Sequence, residues 1–190
     1  SPITVAIQVP SAACAPMQIA SVVSRKTHSD VGSFDIPMPL GATSGVECRS
    51  GGAGGNHTLV VSFSNNISSG SASITAPAGG SVSGTPAFSG NTMTVNLTGI
   101  ADVQQTSVSI SGVTDSFGQA MPDTAVNIGF LVGDTNGDGS VNSSDALQTR
   151  GRSGAATDAS NYRSDVNTDG FINTADVLVV RSRSGTSIAP

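Results

Sequence analysis

Two stretches of the chain gather oxygen-bearing side chains at matched intervals. In GDTNGDGSVNSSDA, residues 133–146, Asp134, Asn136, Asp138, Asn142 and Asp145 fall at positions 1, 3, 5, 9 and 12 of a twelve-residue window, with Gly139 at position 6 and Ser140 at position 7. In SDVNTDGFINTADV, residues 164–177, the same places hold Asp165, Asn167, Asp169, Asn173 and Asp176, with Gly170 and Phe171 between them. Three aspartates per window is a high density for a chain with 13 acidic residues in 190. A hard divalent cation such as Ca²⁺ takes about six to eight oxygen ligands, and this spacing supplies them from one curled segment. Side chains at positions 1, 3 and 5 give carboxylate or amide oxygens. Position 7 gives its carbonyl, so Ser140 and Phe171 need no special side chain. The carboxylate at position 12 closes the shell, and glycine at position 6 permits the sharp turn. A single DG or NG dipeptide reads equally well as a surface turn that binds nothing. Five matched positions, occurring twice in register, point to two Ca²⁺ ions held by Asp134, Asn136, Asp138, Ser140 and Asp145, and by Asp165, Asn167, Asp169, Phe171 and Asp176.

These loops sit inside a longer duplication. DTNGDGSVNSSDALQTRGRSG (134–154) aligns without gaps with DVNTDGFINTADVLVVRSRSG (165–185), an offset of 31 residues. A helix is expected after each loop, where Ser143, Ser144 and Asp145, or Thr174, Ala175 and Asp176, offer capping residues before apolar positions, and Gly154 and Gly185 offer stops. No helix is expected before them: TAVNIGFLVG (124–133) alternates like a strand, and ATDASNYR (156–163) has no amphipathic period. Apolar Val141 and Ile172 at position 8 suggest that the two loops pair with each other through a short β contact.

Loop then helix, twice in under 60 residues, with aspartate at position 12, resembles a type I dockerin over 134–185. The resemblance implies a secreted, bacterial, calcium-dependent docking module built of EF-hand-like loop–helix (F-hand) motifs, whose partner is a cohesin-like domain. It also implies that the partner is read by loop positions 10 and 11 and by a basic helix residue: Ser143, Ser144 and Arg150 in the first half, Thr174, Ala175 and Arg181 in the second. Dockerin helices commonly continue with an apolar pair. Here Gly151-Arg152-Ser153-Gly154 and Ser182-Arg183-Ser184-Gly185 follow instead, so shorter helices are expected. The five arginines of this segment, Arg150, Arg152, Arg163, Arg181 and Arg183, read as a solvated face that balances seven aspartates, or as contacts to an acidic partner. Their balance is −2, and two Ca²⁺ would reverse its sign.

The preceding chain has another character. Ile19, Val22 and Val23 sit in one candidate strand, and period-2 alternation follows at Phe34, Ile36 and Met38; Leu59, Val61 and Phe63; Met93, Val95 and Leu97; Val108 and Ile110; and Val126, Ile128 and Phe130. Gly-rich turns such as Gly51–Asn56 separate them. Seven or eight short strands over about 120 residues suit a β-sandwich. VVSFSN (60–65), GNTMTVNLTGI (90–100) and VSISGVTDSFGQ (108–119) resemble bacterial immunoglobulin-like modules, which implies that fold and no activity. The expected organisation is mainly β. Residues 1–14 would end an upstream segment, in which Ile3, Val5, Ile7 and Val9 alternate. Residues 15–132 would form an immunoglobulin-like β-sandwich, and 133–190 a small α-helical dockerin-like module.

Other chemistries are poorly supplied. The net charge is −5 without a basic stripe, so nucleic acid is not an expected partner. No apolar run approaches a membrane span. His28, at an expected strand end, and His57 stand without a zinc pattern. No G-x-S-x-G elbow is present, and Asp30, Asp35, Asp102, Asp115 and Asp123 fall in or near expected turns. Glu47 with Arg49 or Arg25 reads as a surface ion pair. Cys14 and Cys48 form one disulfide or remain two thiols. Aromatics are too few for a sugar-stacking platform. The reading is a non-catalytic, extracellular or cell-surface chain, expected to be monomeric. Its tail either docks a partner or serves as a calcium-stabilised cap of a large surface protein. The last 57 residues hold too few large apolar side chains to fold alone, so metal binding and folding should be coupled there.

Overall fold

The structure, a computed structural model, describes residues 15–41, 44–76 and 79–188. The alternating segments form strands β1 (Ile19–His28), β2 (Gly32–Met38), β3 (Gly45–Glu47), β4 (His57–Phe63), β5 (Ile67–Ala76), β6 (Ser81–Val82), β7 (Ala87–Ser89), β8 (Thr92–Thr98), β9 (Gln104–Asp115) and β10 (Thr124–Phe130). One sheet has the order β2-β1-β4-β8-β6, with β7 also paired to β8. The other has the order β3-β10-β9-β5. All pairings are antiparallel except β3 with β10.

The period-2 pattern puts one face of each sheet into a common apolar layer. Ile36, Leu59, Val61, Phe63, Met93, Val95 and Leu97 from one sheet meet Val108, Ile110, Val126, Ile128 and Phe130 from the other, and all are buried in one cluster. In β9 the parity changes after Ile110. Gly112 takes φ +60°, and the register against β5 shifts beside it. This bulge turns Val113 and Asp115 inward, a move glycine allows without a Cβ clash. Asp115 then accepts the amides of Phe117 and Gln119 at 2.9 and 2.8 Å and ties the following turn.

Charged groups also lie inside this body. Glu47 and Arg49 pair with both side chains fully buried, so the expected surface ion pair is an interior one. The pairing is bidentate, at 2.8 and 2.7 Å, and Ser24 donates to the same carboxylate. Burial pushes the Glu47 carboxyl up, but Arg49 outweighs it and holds the pKa down to about 2. Arg25 pairs with Asp35 instead, at the surface of β1 and β2.

After β10 come α1 (Ser143–Arg152), a 3₁₀ turn (Tyr162–Ser164) and α2 (Thr174–Ser182), and the two α-helices pack on each other. The loops do not pair with one another as Val141 and Ile172 suggested. Val141 exchanges backbone bonds with the segment after α2, its N–H to Thr186 at 2.9 Å and its carbonyl from Gly185 at 2.8 Å. Ile172 does the same with the segment after α1, through Ala155 at 3.0 Å and Gly154 at 2.8 Å. Each helix is short enough that its return strand reaches the other loop, and the two halves clasp each other.

The tail is joined to the body by more than its chain connection. Val141, Val166 and Val180 share a buried cluster with Val46 of β3 and with Leu131. Ser50 N–H donates to Val166 O at 2.8 Å, and Gly133 N–H to Cys48 O at 2.9 Å. Tyr162 stacks on Phe34 with ring centres 5.4 Å apart, and its hydroxyl donates to Asp35 O at 2.9 Å. Cys48 is buried with its thiol against the Arg163 carbonyl; Cys14 and the alternation in 1–14 lie outside the described residues.

Candidate metal centre

Each aspartate-rich segment closes on itself through carboxylates that accept backbone amides. In the first, Asp134 is fully buried; its Oδ1 accepts Gly137 and Asp138 N–H at 2.8 and 3.1 Å, and its Oδ2 accepts Gly139 N–H at 2.9 Å. Asp145, also fully buried, accepts Asn136 N–H at 3.1 Å and Asn142 N–H at 2.9 Å. Exposed Asp138 accepts Ser140 N–H at 2.9 Å and the Asn136 side-chain amide at 2.8 Å. The second loop repeats these contacts, apart from the Gly137 bond, through Asp165, Asn167, Asp169, Phe171 and Asp176.

Helix starts and metal loops share residues. The N-caps are Asn142 and Asn173 at loop position 9, one residue before the capping residues expected from sequence. Their side chains accept Ser144 and Ala175 N–H, each at 2.7 Å. In return the N–H of each cap reaches the position-12 aspartate three residues on, completing a capping box. An aspartate there ties the loop's last donor directly to the first turn of the helix.

The donor set fits a hard cation. The carboxylate oxygens of Asp165, Asp169 and Asp176 lie within 4.8 Å of one another, two of the three residues buried. Among the described residues no Lys or Arg pairs with the carboxylates of either loop. Burial pushes the Asp134 carboxyl above its ordinary range. Burial, with the neighbouring Asp165 and Asp169 charges, does the same to Asp176. Converging, desolvated carboxylates lacking a cationic partner are what a bound divalent ion would neutralise. Asp165 differs: burial raises it, but donors from His28, Thr157 and Gly170 outweigh that effect and hold it below the usual range.

The sequence-derived recognition residues Ser143, Ser144, Arg150, Thr174, Ala175 and Arg181 are all exposed. A groove of about 360 Å³ between the helices is lined by Ser143, Ala146, Leu147, Arg150, Val177 and Arg181. It brings Ser143, Arg150 and Arg181 together, while Ser144, Thr174 and Ala175 lie outside its lining. Leu147 and Leu178, which the sequence reading did not single out, are 66% and 59% exposed. An apolar helix residue that the core does not take is the signal that would have found them.

Residues 132–183 match the family model of the dockerin type I domain. In that family the domain is a docking module, and the match supports calcium binding and protein–protein interaction for this segment. No curated protein and no solved structure matches the chain. No helix among the described residues is long and apolar enough to cross a membrane.

The dockerin-type segment does not present all its arginines to solvent. Arg163 turns inward and donates to Thr135 O at 2.9 Å and Asp134 O at 3.1 Å, holding the start of the first loop by its backbone. Arg183 stays exposed but pairs with Asp102 of the body at 3.2 Å. Sequence reasoning also missed His28. It is fully buried at the end of β1, with Nδ1 2.8 Å from Asp165 Oδ2. His57 is packed on Phe130, and burial, aided by Lys26, lowers its pKa to about 3.

Proposed function

We propose that this chain is a non-catalytic, extracellular or cell-surface bacterial protein whose tail, residues 133–190, takes two Ca²⁺ and docks a cohesin-like partner. The ligands are Asp134, Asn136, Asp138, Asp145 and the Ser140 carbonyl in one loop. In the other they are Asp165, Asn167, Asp169, Asp176 and the Phe171 carbonyl. A bound Ca²⁺ supplies the positive charge that balances three carboxylates in each loop. The chain's own part is to fix those carboxylates by backbone donors and to start α1 and α2 from the same residues, so loop geometry sets helix placement. The observation that carries the docking reading is the exposed α1–α2 groove, apolar at Ala146, Leu147 and Val177 and flanked by Arg150 and Arg181. Residues 15–132, two sheets around one apolar layer, are read as an immunoglobulin-like sandwich that presents this module.

The test is binding of the full chain to cohesin domains encoded by the same genome, in millimolar calcium and in chelator. Binding should require calcium and weaken by roughly an order of magnitude or more when Leu147 and Leu178 are both changed to Glu. Absence of binding to any such domain in calcium would overturn the docking reading. A second reading, a calcium-stabilised cap of a larger surface protein, is favoured by the apolar cluster that Val46 and Leu131 share with the tail. It expects calcium to raise the stability of the whole chain with no cohesin bound.

A further inference from the structure

We propose that the two calcium loops, though duplicated in sequence, are unequal: the second is completed by the two-sheet body, whose His28 orients Asp165, while the first is closed by the tail alone. This rests on the calcium reading above and concerns how one ligand is held. His28 and Asp165 lie 137 residues apart in sequence, and both are fully buried. The direction of their hydrogen bond is fixed by the group behind the ring. Arg49 Nη1 lies 3.1 Å from His28 Nε2, and a guanidinium can only donate, so Nε2 accepts and Nδ1 carries the proton. Nδ1–H therefore donates to Asp165 Oδ2.

Arg49 cannot turn away, because it also donates to Glu47, Phe34 O and Ser24 O. Phe34 packs edge-on against the histidine ring at 5.2 Å. The ring is thus held from two sides by residues of the body. Thr157 adds a second side-chain donor to the same Asp165 oxygen at 2.7 Å, beside Gly170 N–H at 2.9 Å. Three donors saturate Oδ2. Oδ1, which takes Asp169 N–H at 3.1 Å, remains as the oxygen available to an ion.

Asp134 has no such support. Its Oδ2 accepts the Gly139 amide, and the neighbouring arginine, Arg163 of the tail itself, is spent on its carbonyl. Correspondingly, among the described residues only the second loop brings three carboxylates within 4.8 Å of one another. Outer donors of this kind fix the orientation of a metal ligand, and their loss typically lowers metal affinity about 10–100-fold. The body thereby pre-organises one site of a nominally symmetric pair, and the second site should fill first.

The test is calcium titration of the full chain by calorimetry, with Asp134→Asn and Asp165→Asn assigning each binding step to its loop. His28→Phe keeps the ring's shape and removes its hydrogen bonds. His28→Asn keeps a donor near the Nδ1 position. Thr157→Val removes the second donor, which the tail supplies, and gauges the outer donors on Oδ2; His28→Asn against wild type carries the body's part if His28→Phe does not fold. Wild type should bind in two unequal steps, the tighter one lost in Asp165→Asn. His28→Phe and Thr157→Val should weaken that step by roughly ten-fold or more, leave the other within about two-fold, and His28→Asn should recover part of the loss. Equal weakening of both steps, or of neither, overturns the inference. Absence of any calcium binding by wild type overturns the calcium reading instead.

Discussion

Truncation of Leu131 tests whether the tail and the two-sheet body form one cooperative unit. Leu131 follows β10, is fully buried, and packs with Val46 on one side and Val141, Val166 and Val180 on the other. Leu131→Ala removes three buried carbons, about 2.4 kcal/mol at roughly 0.8 kcal/mol per carbon. The neighbours are anchored by backbone bonds, Leu131 N–H to Glu47 O and Val141 to Thr186, so they can collapse only partly and a cavity term adds to the loss. The total should be about 3–4 kcal/mol. For a chain of this size each kcal/mol shifts the melting temperature by about 2–4 °C, giving a shift on the order of 10 °C. Differential scanning calorimetry in calcium should show one transition in both proteins, moved down as a whole in the variant. Two separate transitions, with only a minor tail transition moving, would refute the idea that the shared cluster couples the parts.

Chelation should act on the same transition. With free calcium at about 100 times Kd, each site contributes about 2.7 kcal/mol, so losing both in EDTA should lower the melting temperature by about 10–20 °C and reduce the helix signal in circular dichroism. Acid should destabilise the chain in two overlapping stages. His57 is held at about 3, so between its ordinary range and pH 3 the unfolded chain takes up a proton that the folded chain refuses, and stability falls. Glu47 is held at about 2, so its contribution is complete above the ordinary carboxylate range and is lost as pH falls towards 2. Glu47→Gln should flatten the lower stage and His57→Phe the upper one, read as denaturant midpoints against pH. Gly170→Ala should destabilise by more than about 1 kcal/mol, because Gly170 has φ +91° and an added Cβ would sit 2.9 Å from Val31 Cγ2; an unchanged denaturant midpoint would contradict this.

The loops and the main strands were legible because their signals are local. A calcium loop needs its donors within twelve consecutive residues, and a half-buried strand needs only a period of two. Strand β5 escaped notice because its sequence, ISSGSASITA, is dominated by hydroxyl residues, with few apolar ones to mark a face. The surface reading of Glu47 and Arg49 failed because two residues of opposite charge, two apart, look alike in sequence whether water or a closed sheet surrounds them. The pairing of Val141 and Ile172 was misjudged because two equivalent loops can satisfy position 8 through each other or through the segments that follow the helices. The chain takes the second course.

By itself the sequence determined where oxygen donors cluster, that the cluster is duplicated at 31 residues, and that strands precede it and helices follow. Only the tertiary structure decided which carboxylate meets His28, that Arg163 turns inward, and which helix residues stay exposed. The physical reason is range: ligand spacing, capping and alternation are fixed within one or two turns of chain. The environment of Asp165 is instead set by a strand end 137 residues away, brought there by the closing of two sheets and the packing of Tyr162 and Val166 against them.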